Sequence, residues 1–594
     1  MVNPFEYYYQ WELDYLKQLA KAACEEKPHL RDVLSGRDPD VERTFEGFAA
    51  LTGRLHQKVD DAFPELTQQL LQRLRAQPIK GIPATSIIQF SSAVRSTSTG
   101  QSNHGGQNDL AFSIPAGTEV YTDDRQPFVT CRQCPIEPLI LLSREITHQL
   151  QATKITLNFR YTGKEEKWLT QPVNVFLSSD EQVSDALMLG LTQYYDSAEL
   201  WHDGQVYQAG GDWFEPRSGA SRLILSSAAG DNWAPQLLIE SLYLPHVNQF
   251  LSVPLPTMAK QLELTKQREF SVVLTLNTLL PLSAAQIETA FQLHCAPVVN
   301  MVRNCQITLP FVPDTARYCL PLAPNQGILH IAGIELKHEP NHEEEKRGGE
   351  YLFYPTSLLT GMERYHPEYD NAWFYALEAN EDALGRMQYG LVFYDSKGQL
   401  MCKPPEREFI CHFYGFEQQV SLELGEICQA GEQVPEVFQL KNITPTSRTY
   451  PSVVDSHRHW DLLSHYAAGS FLLERAESVK HLLQDFDLYA ESDRSSSRNI
   501  RRMIEGITRI DAKWGDRIIR DRPVRCLLIT LRLDESAYTD AGEMYRFANS
   551  LYQFFPFCLA QGTWLRMRVL SRSSGLDTEW YLLPSMIQGY RSIM

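Results

Sequence analysis

The hydrophobic period of this chain changes once, near residue 84, and that switch divides it into a helical start and a sheet-rich remainder. Tyr8, Trp11, Tyr15 and Leu19 recur at spacings of three and four, which places them on one face of a helix. Asp38 can cap the free amides of a second helix and Pro39 suits its first turn. Val41, Phe45, Phe48, Leu51, Leu55 and Val59 then repeat with helical spacing. Phe63-Pro64 breaks this pattern and opens a third helix carrying Leu66, Leu70 and Leu74, which Pro78 closes. Three helices with faces this apolar need burial on the rest of the chain or on a helical partner. Tyr8, Trp11, Tyr15, Leu19, Phe45 and Phe48 are the candidate partner-facing residues.

From residue 84 the alternation predicts strands at 86–90, 155–161, 173–177 and 270–276, with a helix at 181–195 between them. Further strands are predicted at 389–394, 408–413 and 420–424. Residues 91–109 and 338–350, poor in apolar side chains, read as loops. The last 150 residues mix helices at 457–473, 475–486 and 541–555 with strands at 524–533 and 563–570. A chain of 594 residues exceeds one hydrophobic core. The expectation is a multidomain α+β protein: N-terminal helices (1–83), a β-rich domain with an inserted helix (84–300), a second β-rich domain (301–440) and a mixed α/β C-terminal domain (441–594).

Charge and cysteine usage narrow the function. A net charge of −18 argues against binding nucleic acid or an anionic membrane surface without sequence preference. Residues 335–382 hold twelve acidic against four basic residues, and 494–532 eleven basic against four acidic. These are either solvated faces or docking surfaces for charged partners. No apolar run is long enough for a spanning helix and the start lacks the pattern of a signal peptide, so direct membrane insertion is not expected and a cytoplasmic location is. Eleven scattered cysteines then read as reduced.

Concentrated chemistry is absent. Cys131 and Cys134 form a lone CxxC, without the second pair of a zinc ribbon. His294-Cys295, read as neighbours on a strand, point to opposite faces and cannot share a proton. His457 and His459 are two apart on a predicted helix and do not face each other. No phosphate loop, GxSxG, HExxH or kinase signature occurs. No catalytic residue, metal, cofactor or small-molecule substrate is predicted. The chain reads as architecture.

The N-terminal block resembles the TssF family of type VI secretion baseplate subunits, also called VasA or ImpG. Its aromatic first helix stands here as Tyr7-Tyr8-Tyr9-Gln10-Trp11-Glu12-Leu13-Asp14-Tyr15-Leu16. The family's DPxVER block is similar to Asp38-Pro39-Asp40-Val41-Glu42-Arg43, followed by Glu46-Gly47-Phe48-Ala49, Asp60-Asp61 and Phe63-Pro64-Glu65-Leu66-Thr67. Ile87-Ile88-Gln89-Phe90, Phe291-Gln292-Leu293-His294-Cys295-Ala296-Pro297-Val298-Val299-Asn300 and Arg502-Met503-Ile504-Glu505-Gly506-Ile507 keep the family order. Two departures stand out: a shorter segment between the first two helices, and Arg73-Leu74-Arg75-Ala76-Gln77 where the family often has Leu-Tyr-Pro-His-Tyr. Both loosen any transfer of partner contacts there.

The resemblance implies assembly rather than turnover. It implies a baseplate wedge built with TssG, TssK, TssE and a second TssF copy. That wedge would touch neighbouring wedges and the VgrG spike, and would support growth of the tail tube and sheath. It also implies a location at the baseplate, docked to the inner-membrane complex, and N-terminal helices bundled with TssG. A stand-alone adaptor and a glycan-acting enzyme are the rival readings.

Overall fold

The computed structural model describes residues 9, 13, 16, 17, 20, 39–60, 81–92, 112–163, 172–209, 215–216, 234–253, 255, 268–312, 315, 317–337, 353–356, 372–381, 387–395, 399, 408–450, 460–461, 464–465, 468–487, 489–490, 493–519, 522–573, 576–582 and 586–589. Helices and many strands in several sheets make it a multidomain α+β protein, as expected. The helix Pro39–Asp60 starts at the predicted proline. Thr44 and Thr52 donate their hydroxyls back to the carbonyls of Asp40 and Phe48, so neither leaves a polar group on the apolar stripe.

A six-stranded antiparallel sheet gathers distant parts of the chain. Thr85–Ser92 pairs with Cys295–Asn300 on one side and with Phe438–Asn442 on the other. Pro127–Thr130, Glu119–Thr122 and Ile427–Ala430 extend it. Ile87 and Ile88 are both fully buried although they face opposite ways, so the sheet is covered on both faces at this point. The border expected at 440/441 falls inside the strand Phe438–Asn442.

His294 corrects the reading of its segment as one continuous strand. It adopts φ +58°, which interrupts extended backbone. Gln292–Leu293 before it pairs with Val173–Phe176 in a separate four-stranded sheet, whereas Cys295–Asn300 enters the six-stranded one. The segment therefore crosses between two sheets at His294.

A five-stranded antiparallel sheet of Gln205–Ala209, Tyr195–His202, Glu269–Leu276, Thr153–Tyr161 and Leu139–His148 covers the helices Glu181–Gln193 and Ala234–Tyr243. Asp180 caps the first helix, accepting from the Gln182 amide at 3.0 Å. Residues 302–417 form two sheets around an aromatic centre. Phe311 lies within 4.6–6.4 Å, ring centre to ring centre, of Phe409, Phe393, Tyr318, Trp373 and Phe353.

The C-terminal sheet begins with the hairpin Ile507–Ile519 and Arg522–Leu533. The helix Ala541–Phe554 then returns the chain to Thr563–Ser573, parallel to Arg522–Leu533. Eleven of that helix's fourteen residues are buried, because it packs against both Glu181–Gln193 and Ala234–Tyr243 and its Tyr545 ring meets Trp580 of its own sheet. One apolar cluster consequently runs from Ile82 to Ile587 without a break between the central and C-terminal parts. The predicted strand at 420–424 does not form. Val420 and Leu422 instead pack beneath the six-stranded sheet, and the Leu422 amide is held by the Thr446 hydroxyl at 2.8 Å.

Candidate partner interface

Of the six candidate residues, Tyr8, Trp11, Tyr15 and Leu19 lie outside the described residues. Phe45 and Phe48 sit one helical turn apart on Pro39–Asp60. Phe45 is half-buried and Phe48 is 57% exposed. Leu51, one turn further, is 72% exposed, while Ala49 is fully buried. Ala49 is thus covered beside the half-buried Phe45, while Phe48 and Leu51 continue the line outward into solvent. Leu51 belonged to the sequence periodicity but not to the candidate set. Its outward aim depends on which side the rest of the chain covers, and periodicity is blind to that. Removing one such side chain from water is worth about 1.5–3 kcal/mol.

Elsewhere the scaffold is tied together by buried polar contacts. Arg546 Nε donates to Asp185 Oδ2 at 2.8 Å, with both side chains largely buried. Burial pushes the Asp185 carboxyl up to about 6, and Arg546 only partly opposes this. The buried Asp487 carboxylate accepts from the Tyr243 hydroxyl, from Ser497 Oγ at 2.5 Å and from Arg501 Nε at 3.4 Å. Burial and that bond push the Tyr243 hydroxyl well up. Tyr450 donates to Asp493 at 3.0 Å, and the rings of Tyr243, Tyr450 and Tyr489 meet at 4.7–5.3 Å. Burial alone would raise Asp493; hydrogen bonds from Ser495, Ser496 and Tyr450 outweigh it and hold the carboxyl at about 2. Such networks rigidify the joint between elements far apart in sequence.

The charged stretches resolve unevenly. The basic stretch becomes the helix Arg494–Glu505 and the C-terminal hairpin. Arg501 is drawn to Asp487, Arg502 to Glu543 at 3.1 Å, and Arg509 and Arg532 both to Asp511. Much of the acidic stretch lies outside the described residues. Within it, Glu378 is buried 3.5 Å from Arg317 and Glu335 bonds His412 at 3.0 Å.

Among the described residues no group of three His, Cys, Asp or Glu side chains is placed to hold a metal, and no helix is long and apolar enough to cross a membrane. Cys131 and Cys134 are free thiols, and burial pushes the Cys131 thiol well up, away from the reactive thiolate. His457 and His459 lie outside the described residues. Burial pushes His246 and His294 down to about 4, so both are neutral at pH 7.

Residues 1–582 match the family described as "Type VI secretion system, TssF". The chain is 37% identical over 88 residues to the type VI secretion system component TssF1 of Pseudomonas aeruginosa, an alignment spanning 14% of each chain. Its fold is similar to a chain in the cryo-electron microscopy structure of the type VI secretion system TssK-TssF-TssG baseplate subcomplex. That likeness has a TM-score of 0.70 at 19% identity and covers 91% of this chain and 98% of the other. A chain of the type VI secretion baseplate complex matches at TM-score 0.56 and 17% identity, covering 97% and 98%.

Proposed function

We propose a scaffolding role for this chain from the premise that it belongs to the TssF family of the type VI secretion system. It acts as a structural subunit of the baseplate, held in complex with TssG and TssK, and not as a catalyst. The observation that carries this reading is the line of Phe45, Phe48 and Leu51, which runs from half-buried to exposed along one helix. Solvent-facing apolar side chains at helical spacing are what an incoming helix requires. The buried ties between the central and C-terminal parts supply the stiffness a platform needs.

In finer detail, Tyr8, Trp11, Tyr15 and Leu19, together with Phe45 and Phe48, are the residues that meet TssG. A second copy of the chain and TssE complete the wedge. Neighbouring wedges and the VgrG spike bound it, and the whole lies in the cytoplasm against the inner-membrane complex. The chain divides near 83/84 and 300/301, and the border expected at 440/441 moves past the strand Phe438–Asn442.

Co-expression with the TssG and TssK of the same secretion system, followed by affinity purification through this chain, tests the reading. Wild-type chain should bring down both. Phe48→Asp with Leu51→Asp should abolish TssG recovery while leaving the thermal unfolding midpoint of the chain unchanged. Recovery of the wild-type chain as a free folded monomer would overturn it. Retention of TssG by the double variant would remove this helix from the interface.

A further inference from the structure

The core-facing side of the C-terminal hairpin does not end where the core does. Along Ile507–Ile519 and Arg522–Leu533, side chains alternate between faces and cross-strand partners share one. One face carries Ile510, Ala512, Trp514, Asp516 and Ile518, opposite Leu531, Ile529, Leu527, Arg525 and Pro523. At its base this face is sealed: Ile510 is 6% exposed and Leu531 fully buried. Towards the turn, Trp514 is 39% and Ile518 78% exposed. The neighbouring strand Thr563–Ser573 begins opposite Arg525. Residues 522–524 therefore pair only with 517–519, and the tip is a two-stranded arm reaching past the sheet. Among the described residues strand Ile507–Ile519 has no second neighbour, so the arm also presents an edge.

Charge separates arm from base. At the base, Arg509 and Arg532 are neutralised by Asp511. On the arm, Lys513, Arg517 and Arg522 line the outer face, and Arg525 lies on the inner one with its guanidinium 5.2 Å over the Trp514 ring. Among the described residues none of these four has a carboxylate partner. A chain of net charge −18 thus keeps a cationic projection with Trp514 at its base and Ile518 near its tip. The stacked arginine holds Trp514 in place, and arginine and tryptophan are the side chains that most often dominate interface energetics.

We infer that this arm, residues 512–519 and 522–525, inserts Trp514 and Ile518 into an apolar socket rimmed by carboxylates on a different protein. The apolar face specifies the socket, and Lys513, Arg517, Arg522 and Arg525 specify the acidic rim. Two copies pairing symmetrically through these edges would bring Lys513, Arg517 and Arg522 of each into mutual repulsion. A head-to-tail contact between copies would propagate into open filaments unless its rotation closed. The inference rests on the reading of the chain as an assembly subunit, and uses a surface separate from Phe48 and Leu51.

The test places a photo-crosslinker at the tip, Ile518→p-benzoylphenylalanine, in the full chain co-expressed with the complete secretion system. The expected result is a single adduct to another protein, at a peptide flanked by Asp or Glu. Adding Lys513→Glu and Arg517→Glu should cut its yield about ten-fold, the equivalent of a rim contact worth one decade in affinity. Thermal unfolding of each variant should match wild type. An adduct to lipid, to nucleic acid or to a second copy would overturn the inference, as would no adduct or a yield indifferent to charge reversal. If TssG recovery fails for the wild-type chain, the assembly reading falls. If TssG is recovered normally and only the arm experiment fails, the arm alone is wrong.

Discussion

Arg546 and Asp185 lie 361 positions apart in the chain and share a hydrogen bond of 2.8 Å inside it. Their helices, Ala541–Phe554 and Glu181–Gln193, belong to the C-terminal and central parts, so this pair marks where the two become one body. Replacing Arg546 with Ala leaves a buried carboxylate without its cation, a change that costs about 3–5 kcal/mol. Denaturant unfolding should show that loss, and Arg546→Met with Asp185→Leu, which removes both charges, should recover most of it. Equal destabilisation in the double variant would mean that packing, not charge, holds the joint.

Gly542 allows the close approach of the same two helices. A Cβ there would sit 2.6 Å from the Asp185 carbonyl carbon and 2.8 Å from the Ala186 nitrogen, both of them backbone. Gly542→Ala should destabilise by about 1–3 kcal/mol, despite a helix-propensity gain of about 1 kcal/mol. Gly515→Ala, on the exposed arm with open space around it, should be neutral or slightly stabilising. Paired thermal melts would decide it. A stable Gly542→Ala would show that the helices can move apart at little cost.

Acid should weaken the fold through its buried histidines before the ordinary carboxylates titrate, against the opposite slope of Asp185, whose carboxyl is raised by burial to about 6. His246 and His294 are held neutral by burial, with folded values near 4 against an ordinary 6.5. In the unfolded chain they bind protons at a higher pH than in the folded one. Their contribution is therefore complete above about 6.5 and drains away as pH falls towards 4. Denaturation midpoints measured from pH 7 to pH 4 should decline, and less steeply in His246→Leu than in wild type. Parallel profiles would exclude His246 as a source of the slope.

The aromatic centre of residues 302–417 should fail independently of the joint. Phe311→Ala removes the ring at the middle of five others and should cost about 3–5 kcal/mol. Hydrogen exchange should accelerate in strands Glu408–Glu417 and Met387–Tyr394 while helix Ala541–Phe554 keeps its protection. Uniform acceleration would show a single cooperative unit instead.

Local order was legible wherever the pattern was self-contained. Pro39 marks the start of its helix, alternation from Ile155 to Tyr161 marks a strand, and the run from Glu181 contains a helix, because each signal lies within a few residues. The stretch from Arg494, read only as charge, conceals a helix whose Ile500, Met503 and Ile504 are buried beneath four exposed arginines. Phe45 and Phe48 were singled out by period, but their exposure could not be read from it. A period says that a face is apolar, not what covers it.

The sequence alone determined the order of helix, sheet and mixed segments, the membership of the TssF family and the net acidity of the chain. Tertiary structure decided which distant segments meet. Thr85–Ser92 finds Phe438–Asn442, the backbone turns at His294 to change sheets, and Asp185 finds Arg546. It also decided that the hairpin outruns its core, leaving Trp514 and Ile518 uncovered. The physical reason is the same in each case. Backbone propensity and hydrophobic period act over a few residues, whereas burial and pairing depend on partners that the chain brings near only by folding.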